Sequence, residues 1–180
     1  LLFGPPGCGK STVALLLAQH TGRPYIRLSA PEVGITNLRK HIQDKEILIL
    51  DELHRYSKAQ QDFFLPLLET GDLTLIATTT ENPSFSVTRQ LLSRLHVLRL
   101  RSLNLTELVD VGRRACTNVG REIPETSLEL LATLSGGDAR TMLNLVEFSL
   151  ELAAEDLQPD KLKGRLPEIV LRGDRDGDSH

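Results

Sequence analysis

Residues 4–11 read Gly4-Pro5-Pro6-Gly7-Cys8-Gly9-Lys10-Ser11, and this stretch decides the fold of the chain. It fits the pattern G-x-x-x-x-G-K-[ST] at every required position and lies between an apolar segment and a helical pattern. The glycines let backbone N–H groups converge on phosphate oxygens, and the following helix points its positive end at the same anion. The stretch therefore predicts a nucleotide-binding site rather than a chance glycine-rich turn.

Several residues of this loop have separate expected roles. The Lys10 ammonium would reach the β- and γ-phosphates of a nucleotide, and the Ser11 hydroxyl would bind Mg²⁺. Cys8 is interpreted as a small residue that fills the loop. The predicted binding residues of the loop are Gly4, Pro5, Pro6, Gly7, Cys8, Gly9, Lys10, Ser11 and Thr12.

Patterns of strands and helices alternate along the first hundred residues. The apolar run Ile47–Leu50 is typical of a strand buried on both faces of a parallel sheet. Other strands are predicted over Tyr25–Leu28, Leu73–Thr80 and His96–Leu100, and helices over Lys10–His20, over Gly34–Lys45 and from about Ser57, the expected N-cap. Pro66 is expected to interrupt the last of these helices. The alternation predicts an α/β fold with a parallel sheet flanked by helices.

After Leu103 the pattern is helical throughout, which predicts a small all-helical domain. One helix face should contain Leu108, Gly112, Ala115, Cys116 and Val119. Thr126 and Glu129 have the spacing of a capping box for a second helix, and Asp138 is a predicted N-cap for a third. Met142, Leu143, Val146 and Leu150 should line one side of that third helix.

The predicted organisation is an α/β core over residues 1–102, a helical lid over 103–171 and the start of a linker over 172–180. The chain begins without Met and its end is polar, so we expect a piece of a longer protein. Its 21 Lys+Arg and 24 Asp+Glu give a net charge of −3, which gives no sign of a chain-wide attraction to nucleic acid. Two cysteines cannot form a disulfide scaffold. No apolar run is long enough for a membrane span, so no membrane partner is expected.

An acid pair, Asp51-Glu52, follows the buried strand Ile47–Leu50. An aspartate there can hold Mg²⁺ opposite Ser11, and the next residue along a strand points the other way. Glu52 is therefore the predicted catalytic residue that orients or deprotonates an attacking water. The pair favours hydrolysis over transfer of phosphate to a small molecule.

Three further positions are weaker candidates on their chemistry alone. The threonines 78–80 end the next strand, and parallel strands meet the same crevice at their carboxyl ends, but threonine is also a common strand residue. Arg94 ends a short helix. Arg140 lies in the first turn of a helix, where it opposes the helix dipole, so an anion is an attractive partner. Isolated arginines are, however, mostly solvated surface groups.

Together these residues resemble an AAA+ ATPase of the clamp-loader branch, and more narrowly the replication-associated recombination protein A family, which includes the Werner-helicase-interacting ATPase. The stretches that carry the resemblance are 51–62, 64–66, 79–85, 91–94 and 136–140. The loop and the acid pair are common to all such ATPases. Gln60-Gln61-Asp62 and Glu81-Asn82-Pro83-Ser84-Phe85 are more specific.

The resemblance implies roles for individual residues. Thr80, with Thr79 as the neighbouring candidate, matches the sensor-1 position, and Arg94 matches the arginine finger that completes a neighbouring subunit's site. Arg140 matches sensor 2, which contacts the nucleotide from the lid. The sequence departs from the family's usual Ser-Arg-Cys, since Leu95 follows Arg94, and the stretch between Ser29 and Ile47 is shorter than usual.

The resemblance also implies cofactors and partners. These are ATP and Mg²⁺, DNA at forks, ends or single-stranded gaps, a homo-oligomer, and single-strand-binding protein or other replication proteins. The expected location is the bacterial cytoplasm with the nucleoid, or the nucleus of a eukaryote. Two alternatives stay open: another clamp-loader-like or Holliday-junction-motor subunit, and an interaction module in which nucleotide only sets the shape for docking.

Overall fold

The structure, a computed structural model, describes residues 1–166. It divides into two compact units, residues 1–101 and a second unit that begins at Ser102. The predicted linker over 172–180 and the last residues of the predicted lid, 167–171, lie outside the described residues.

The first unit alternates strands and helices. Its elements are β1 (Leu2–Phe3), α1 (Lys10–His20), β2 (Tyr25–Ser29), α2 (Ile35–His41), β3 (Ile47–Asp51), α3 (Lys58–Gln61), α4 (Phe64–Thr70), β4 (Thr74–Thr79), α5 (Pro83–Ser86), α6 (Arg89–Leu92) and β5 (Leu98–Arg99). A 3₁₀ turn over Leu53–Arg55 follows β3.

The five strands form one sheet in the order β2-β3-β4-β1-β5, and every pairing is parallel. Strand β1, which leads into the glycine-rich loop, therefore lies between β4 and β5. The predicted α/β fold with a parallel sheet is confirmed. The carboxyl ends of β1, β3 and β4 lie at one edge of the sheet, because parallel neighbours end on the same side.

Strand β3 is the centre of the core, and its side chains alternate between two faces. Ile47 and Ile49 pack with Ala14 and Ala18 of α1. The intervening Leu48 and Leu50 belong to a second cluster, with Leu38 of α2 and Phe64 of α4 among its members. Helices therefore cover both faces, as a continuous apolar strand predicts.

The helix predicted from Ser57 is two helices, α3 and α4. Ser57 is the N-cap of α3 as predicted, with a reciprocal capping box to Gln60. The interruption falls at residues 62–63, before Pro66 rather than at it. In a continuous helix the Pro66 ring would clash with the carbonyl of Asp62, four residues earlier, and that carbonyl instead accepts a 3.2 Å hydrogen bond from the Leu65 N–H.

The second unit is helical, as predicted. Its helices in the described residues are α7 (Leu105–Val119), α8 (Glu125–Leu134), α9 (Ala139–Leu150) and α10 (Pro159–Arg165), with a 3₁₀ turn over Ala154–Asp156. They share one apolar cluster that includes Leu108, Cys116, Leu131, Met142 and Leu162. Asp138 caps α9, since its side chain accepts hydrogen bonds from the backbone N–H groups of Arg140 and Thr141.

Two apolar residues of the predicted helix faces are exposed. Val119 is 62% exposed because it is the last residue of α7; the chain turns at Gly120, and Ile123 packs in the core instead. Leu143 is 44% exposed because it lies one position beside the buried stripe of α9. That stripe is spaced by three and four residues and consists of Met142, Leu145, Val146, Ser149 and Leu150.

The predicted capping box of α8 is wrong. The helix begins at Glu125, so Thr126 lies inside its first turn rather than at the cap. Pro124 occupies the cap position, and its carbonyl accepts the hydrogen bonds of the Ser127 and Leu128 N–H groups at 2.9 and 3.0 Å. A proline whose φ is already fixed starts the helix without a side-chain cap.

Among residues 1–166, no helix combines the length and the apolar character that crossing a membrane requires.

Candidate active site

The glycine-rich loop joins β1 to α1, and two of its glycines are required by the backbone. A Cβ atom on Gly4 would lie 2.3 Å from the carbonyl oxygen of Leu100, which is a hard clash. Gly9, the N-cap of α1, has a left-handed backbone with φ 91°. The helix therefore starts abruptly, and its first N–H groups point into the loop.

Lys10 is buried in this loop, with 9% of its surface exposed. Its ammonium donates hydrogen bonds to the carbonyls of Gly4 at 2.9 Å and Pro5 at 2.6 Å, and it lies 3.8 Å from Cys8 Sγ. These partners are neutral, so the positive charge of Lys10 has no anionic partner among them. A phosphate in the loop would supply one.

Asp51 ends β3, and its carboxylate accepts four hydrogen bonds from three side chains. Oδ1 accepts hydrogen bonds from the hydroxyls of Ser11 at 2.8 Å and Thr78 at 2.9 Å. Oδ2 accepts two from the Arg27 guanidinium, from Nε at 2.9 Å and Nη2 at 2.7 Å. The structure thus brings the predicted metal residues Ser11 and Asp51 together, along with two residues that the sequence analysis did not select.

The pKa of Asp51 reflects two opposing effects. Burial raises the pKa of this carboxyl, but hydrogen bonds from Ser11, Arg27 and Thr78, with the positive charge of Arg27, lower it by more. The net result is a pKa below the ordinary value, so Asp51 is ionised at neutral pH.

The donor set at this position fits Mg²⁺. That ion prefers oxygen ligands and is often held by only one or two protein groups beside phosphate and water. The Ser11 hydroxyl and the ionised Asp51 carboxylate provide two such oxygens 2.8 Å apart at the start of α1.

Glu52 does not continue strand β3. Its φ of 60° and ψ of 45° are left-handed, and it is the one non-glycine residue in the described part of the chain with positive φ. The sequence predicted that Glu52 would point away from Asp51 because side chains alternate along a strand. The left-handed turn, and not this alternation, sets the direction of the Glu52 side chain. The carboxylate is 47% exposed and lies 3.8 Å from Arg55. A non-glycine residue costs roughly 1–2 kcal/mol in this conformation, and such strain is frequent at active sites.

The threonines at the end of β4 differ in their surroundings. Thr78 and Thr79 are buried, whereas Thr80 is exposed just after the strand. The Thr79 hydroxyl lies 3.1 Å from His54 Nδ1 and accepts a hydrogen bond from the Glu81 N–H at 3.1 Å. Thr79 therefore ties the turn after β3 to the turn after β4, while Thr80 presents its side chain to solvent.

Arg94 follows α6 and contacts an acid on α4. Its guanidinium donates hydrogen bonds to Glu69 Oε1, from Nε at 3.1 Å and also from Nη2, and to the Gln90 carbonyl at 2.7 Å. The side chain is 35% exposed, so it is held at the surface in a defined orientation.

Arg140 lies in the second unit, in the first turn of α9 as predicted, and its side chain is exposed. Its backbone N–H donates to the Asp138 carboxylate at 2.7 Å. The sensor-2 role of Arg140 remains a prediction.

Sequence reasoning missed Arg27, and it named Thr78 only as one of the three threonines 78–80 before favouring Thr80. Arg27 lies at an exposed position of the edge strand β2, where a charged residue is ordinary, so its strand pattern did not mark it as a partner of Asp51. For Thr78 no signal distinguished it from its two neighbouring threonines.

Comparisons with known proteins agree on the family. The model of the ATPase family associated with various cellular activities (AAA) matches residues 1–103, and the model of an AAA C-terminal domain matches residues 117–180. Replication-associated recombination protein A of Haemophilus influenzae is 38% identical, over 99% of this chain and 45% of that protein. ATPase WRNIP1 of Dictyostelium discoideum is 34% identical, over 87% of this chain and 20% of that protein. The resemblance predicted from the sequence is confirmed.

A solved structure supports the same fold. The Thermotoga maritima RuvB Holliday junction branch migration motor superimposes with a TM-score of 0.81 at 25% identity, covering 91% of this chain and 59% of that one. The chain spans less than half the length of these curated relatives and others like them.

Proposed function

The chain belongs to the AAA family of ATPases, and from that premise we propose that it binds ATP with Mg²⁺ and hydrolyses the terminal phosphate. The observation that carries the proposal is the contact between Ser11 of the glycine-rich loop and Asp51 of the acid pair, 2.8 Å apart. Two motifs separated by forty residues in sequence meet there with the chemistry that a metal-bound triphosphate needs.

The loop binds the phosphates. Backbone N–H groups at the start of α1 and the Lys10 ammonium donate hydrogen bonds to phosphate oxygens, for which Lys10 leaves the carbonyls of Gly4 and Pro5. Exchange of neutral acceptors for anionic ones makes this movement favourable. The remaining loop residues, Pro5 to Cys8 and Thr12, shape the backbone around the phosphates.

Ser11 and Asp51 would hold Mg²⁺, which neutralises charge on the phosphates when it is bound. Asp51 suits this role because its lowered pKa keeps it ionised, and because its contacts with Arg27 and Thr78 fix its orientation. Glu52, next in the chain and half exposed, orients the attacking water and accepts its proton.

Three further residues complete the proposed site. Thr80 senses the terminal phosphate beside the water, with Thr79 supporting the turn. Arg94 acts on the nucleotide of a neighbouring subunit in a homo-oligomer, which its position at the surface just after α6 permits. Arg140 contacts the nucleotide of its own chain from the helical unit.

We further propose that hydrolysis serves the maintenance of DNA at replication forks. The names of several relatives, among them replication-associated recombination protein A of Haemophilus influenzae and of Escherichia coli, support this proposal. The partners are then DNA forks, ends or single-stranded gaps, other copies of the chain, and replication proteins such as single-strand-binding protein. The place of action is wherever chromosomal DNA is held, the nucleoid in a bacterium or the nucleus in a eukaryote.

The test is steady-state ATP hydrolysis by the full-length protein, alone and with forked, blunt-ended, gapped or four-way-junction DNA. We expect Mg²⁺-dependent turnover that forks, ends or gaps stimulate. Absence of turnover with every DNA would overturn the proposed ATPase function. It would favour the alternative of an interaction module in which nucleotide only sets the shape for docking. Stimulation by four-way junctions alone would favour a Holliday-junction motor, the second candidate, which the RuvB-like fold supports.

A further inference from the structure

The hydroxyl of Thr78 lies between the two acids of the site. It donates a hydrogen bond to Asp51 Oδ1 at 2.9 Å, and it accepts one from the backbone N–H of Glu52 at 3.4 Å. Thr78 is 3% exposed, so water does not replace either bond readily. One buried hydroxyl thus holds both members of the acid pair.

The sheet dictates this position. Leu50 of β3 lies opposite Ala77 of β4, so the next residues, Asp51 and Thr78, are neighbours where both strands reach the edge of the sheet. On its other side Thr78 lies opposite Leu2 of β1, the strand that leads into the glycine-rich loop. Thr78 therefore occupies the strand between the loop and the acid pair.

We propose that Thr78 is a positioning residue that fixes Asp51 and Glu52 relative to each other, a role that rests on the proposed ATPase function. Its bond to Oδ1, together with the two bonds from Arg27 to Oδ2, holds the Asp51 carboxylate in an orientation in which Oδ1 also meets the Ser11 hydroxyl. Its bond from the Glu52 N–H supports the left-handed turn that directs the Glu52 side chain.

The chemistry of a valine at this position explains why the hydroxyl matters. Valine has nearly the same shape as threonine but neither donates nor accepts a hydrogen bond. It would leave the Glu52 N–H without this partner and would release one restraint on Asp51. Partners that orient metal ligands typically change metal affinity or activity by about 10–100-fold when they are removed.

The experiment compares Thr78→Val with Thr78→Ser, which keeps the hydroxyl, in the full-length protein. Thr74→Val is the matched control, because Thr74 begins the same strand, is exposed and lies at the opposite end from the acids. Two quantities are measured with a fluorescent ATP analogue: its Kd in EDTA, and the Mg²⁺ concentration that half-saturates the Mg²⁺-dependent part of binding. ATP turnover is measured in parallel.

We expect Thr78→Val to need about 10-fold more Mg²⁺ and to turn over about 10-fold more slowly, with its Kd in EDTA unchanged. Thr78→Ser should recover most of both losses, and Thr74→Val should match the wild type. Wild-type Mg²⁺ dependence and turnover in Thr78→Val, or a Thr78→Ser variant as impaired as Thr78→Val, would overturn the positioning role.

Two further measurements keep the outcomes distinct. Thermal unfolding reports whether each variant folds, and Thr78→Ala, measured in the same way, replaces Thr78→Val if the valine does not fold. Lack of Mg²⁺-dependent binding and turnover in the wild type overturns the proposed function itself. An active wild type with an unaffected Thr78 variant overturns only the inference about Thr78.

Discussion

The guanidinium of Arg27 lies against one oxygen of the Asp51 carboxylate, with Nε at 2.9 Å and Nη2 at 2.7 Å. The contact joins the neighbouring strands β2 and β3. Ser29 of β2 lies opposite Asp51 of β3, and Arg27 precedes Ser29 by two residues. The Arg27 side chain is half exposed and that of Asp51 is 13% exposed. A flexible cation therefore covers an oxygen of the acid that we propose to hold Mg²⁺.

Replacing Arg27 by Met should raise the pKa of Asp51, because a charge and two hydrogen bonds that favour the carboxylate are lost. A lowered folded pKa stabilises the protein above the ordinary aspartate pKa of about 4 and loses that contribution as pH falls through the folded pKa. The variant should therefore be less stable at pH 7 and lose less stability on acidification. The Asp51 carboxyl titration by NMR and urea unfolding at several pH values measure these effects.

Arg23→Met is the matched control for Arg27→Met. Arg23 also pairs with an acid, Glu46, but that acid is about half exposed, unlike Asp51, and neither residue contacts Asp51. An exposed pair of this kind contributes about 0–1 kcal/mol. An Asp51 titration that is the same in Arg27→Met as in the wild type would contradict the stated origin of its pKa.

Replacing Glu52 by Gln should preserve ATP binding and reduce turnover by about 10²–10⁴-fold, the usual contribution of a general base. The amide keeps the size of the side chain but cannot accept a proton from water. Equilibrium binding and single-turnover hydrolysis separate the two effects, and Glu32→Gln, an exposed glutamate of the same unit, is the control. Turnover retained in Glu52→Gln would remove this residue from the mechanism.

Replacing Lys10 by Ala should weaken ATP binding by about 100-fold or more, because hydrogen bonds to charged groups contribute roughly 1.5–3 kcal/mol each. Among the described residues its ammonium hydrogen-bonds only to neutral groups. The substitution should therefore lower the free energy of unfolding by less than it lowers the binding free energy of ATP. Titration calorimetry with Mg-ATP measures the affinity. Lys58→Ala, at an exposed helix start, should bind normally. Equal affinities for these two variants would argue against the phosphate role of Lys10.

Arg94 should act between subunits. Arg94→Ala and Glu52→Gln proteins should each be inactive alone, yet mixed oligomers contain sites with an intact Glu52 from one chain and an intact Arg94 from its neighbour. Random mixing at equal amounts makes about a quarter of the sites complete, so turnover should return to about that fraction. The assay is ATP hydrolysis across mixing ratios, and no recovery at any ratio would exclude action in trans.

Gln61 should contribute strongly to stability. Its buried amide donates to the carbonyls of Tyr56 at 3.0 Å and Ser86 at 2.9 Å, and it accepts from the Thr88 N–H at 2.9 Å. Gln61→Leu removes these partners and should lower the free energy of unfolding by about 2–4 kcal/mol, since a buried unpaired polar group costs roughly 1–3 kcal/mol. Urea unfolding measures the loss, which should be absent in the exposed control Gln90→Leu. A loss below about 1 kcal/mol in Gln61→Leu would contradict this account.

Gln61 also shows what a sequence pattern alone could not predict, namely the hydrogen-bond partners of a buried side chain. Gln60-Gln61-Asp62 pointed to a family, but the pattern carried no information on which backbone groups the amide would meet, because two of the three lie 25 and 27 residues further along the chain. Thr78 was hidden among three consecutive threonines for the same reason. The register of β3 against β4 selects it, and a register depends on the whole sheet.

The sequence by itself determined the glycine-rich loop, the parallel α/β core and the helical second unit, because each depends on local spacing: helix and strand periods, or glycines where a side chain cannot fit. It also indicated the family, through the resemblance of stretches such as Gln60-Gln61-Asp62 and residues 81–85. Tertiary structure alone decided that Arg27 and Thr78 share Asp51, that Glu52 leaves its strand in a left-handed turn, and that Arg94 meets Glu69. These contacts join residues distant in sequence, and only the packing of strands and helices fixes which polar atoms come within hydrogen-bond distance.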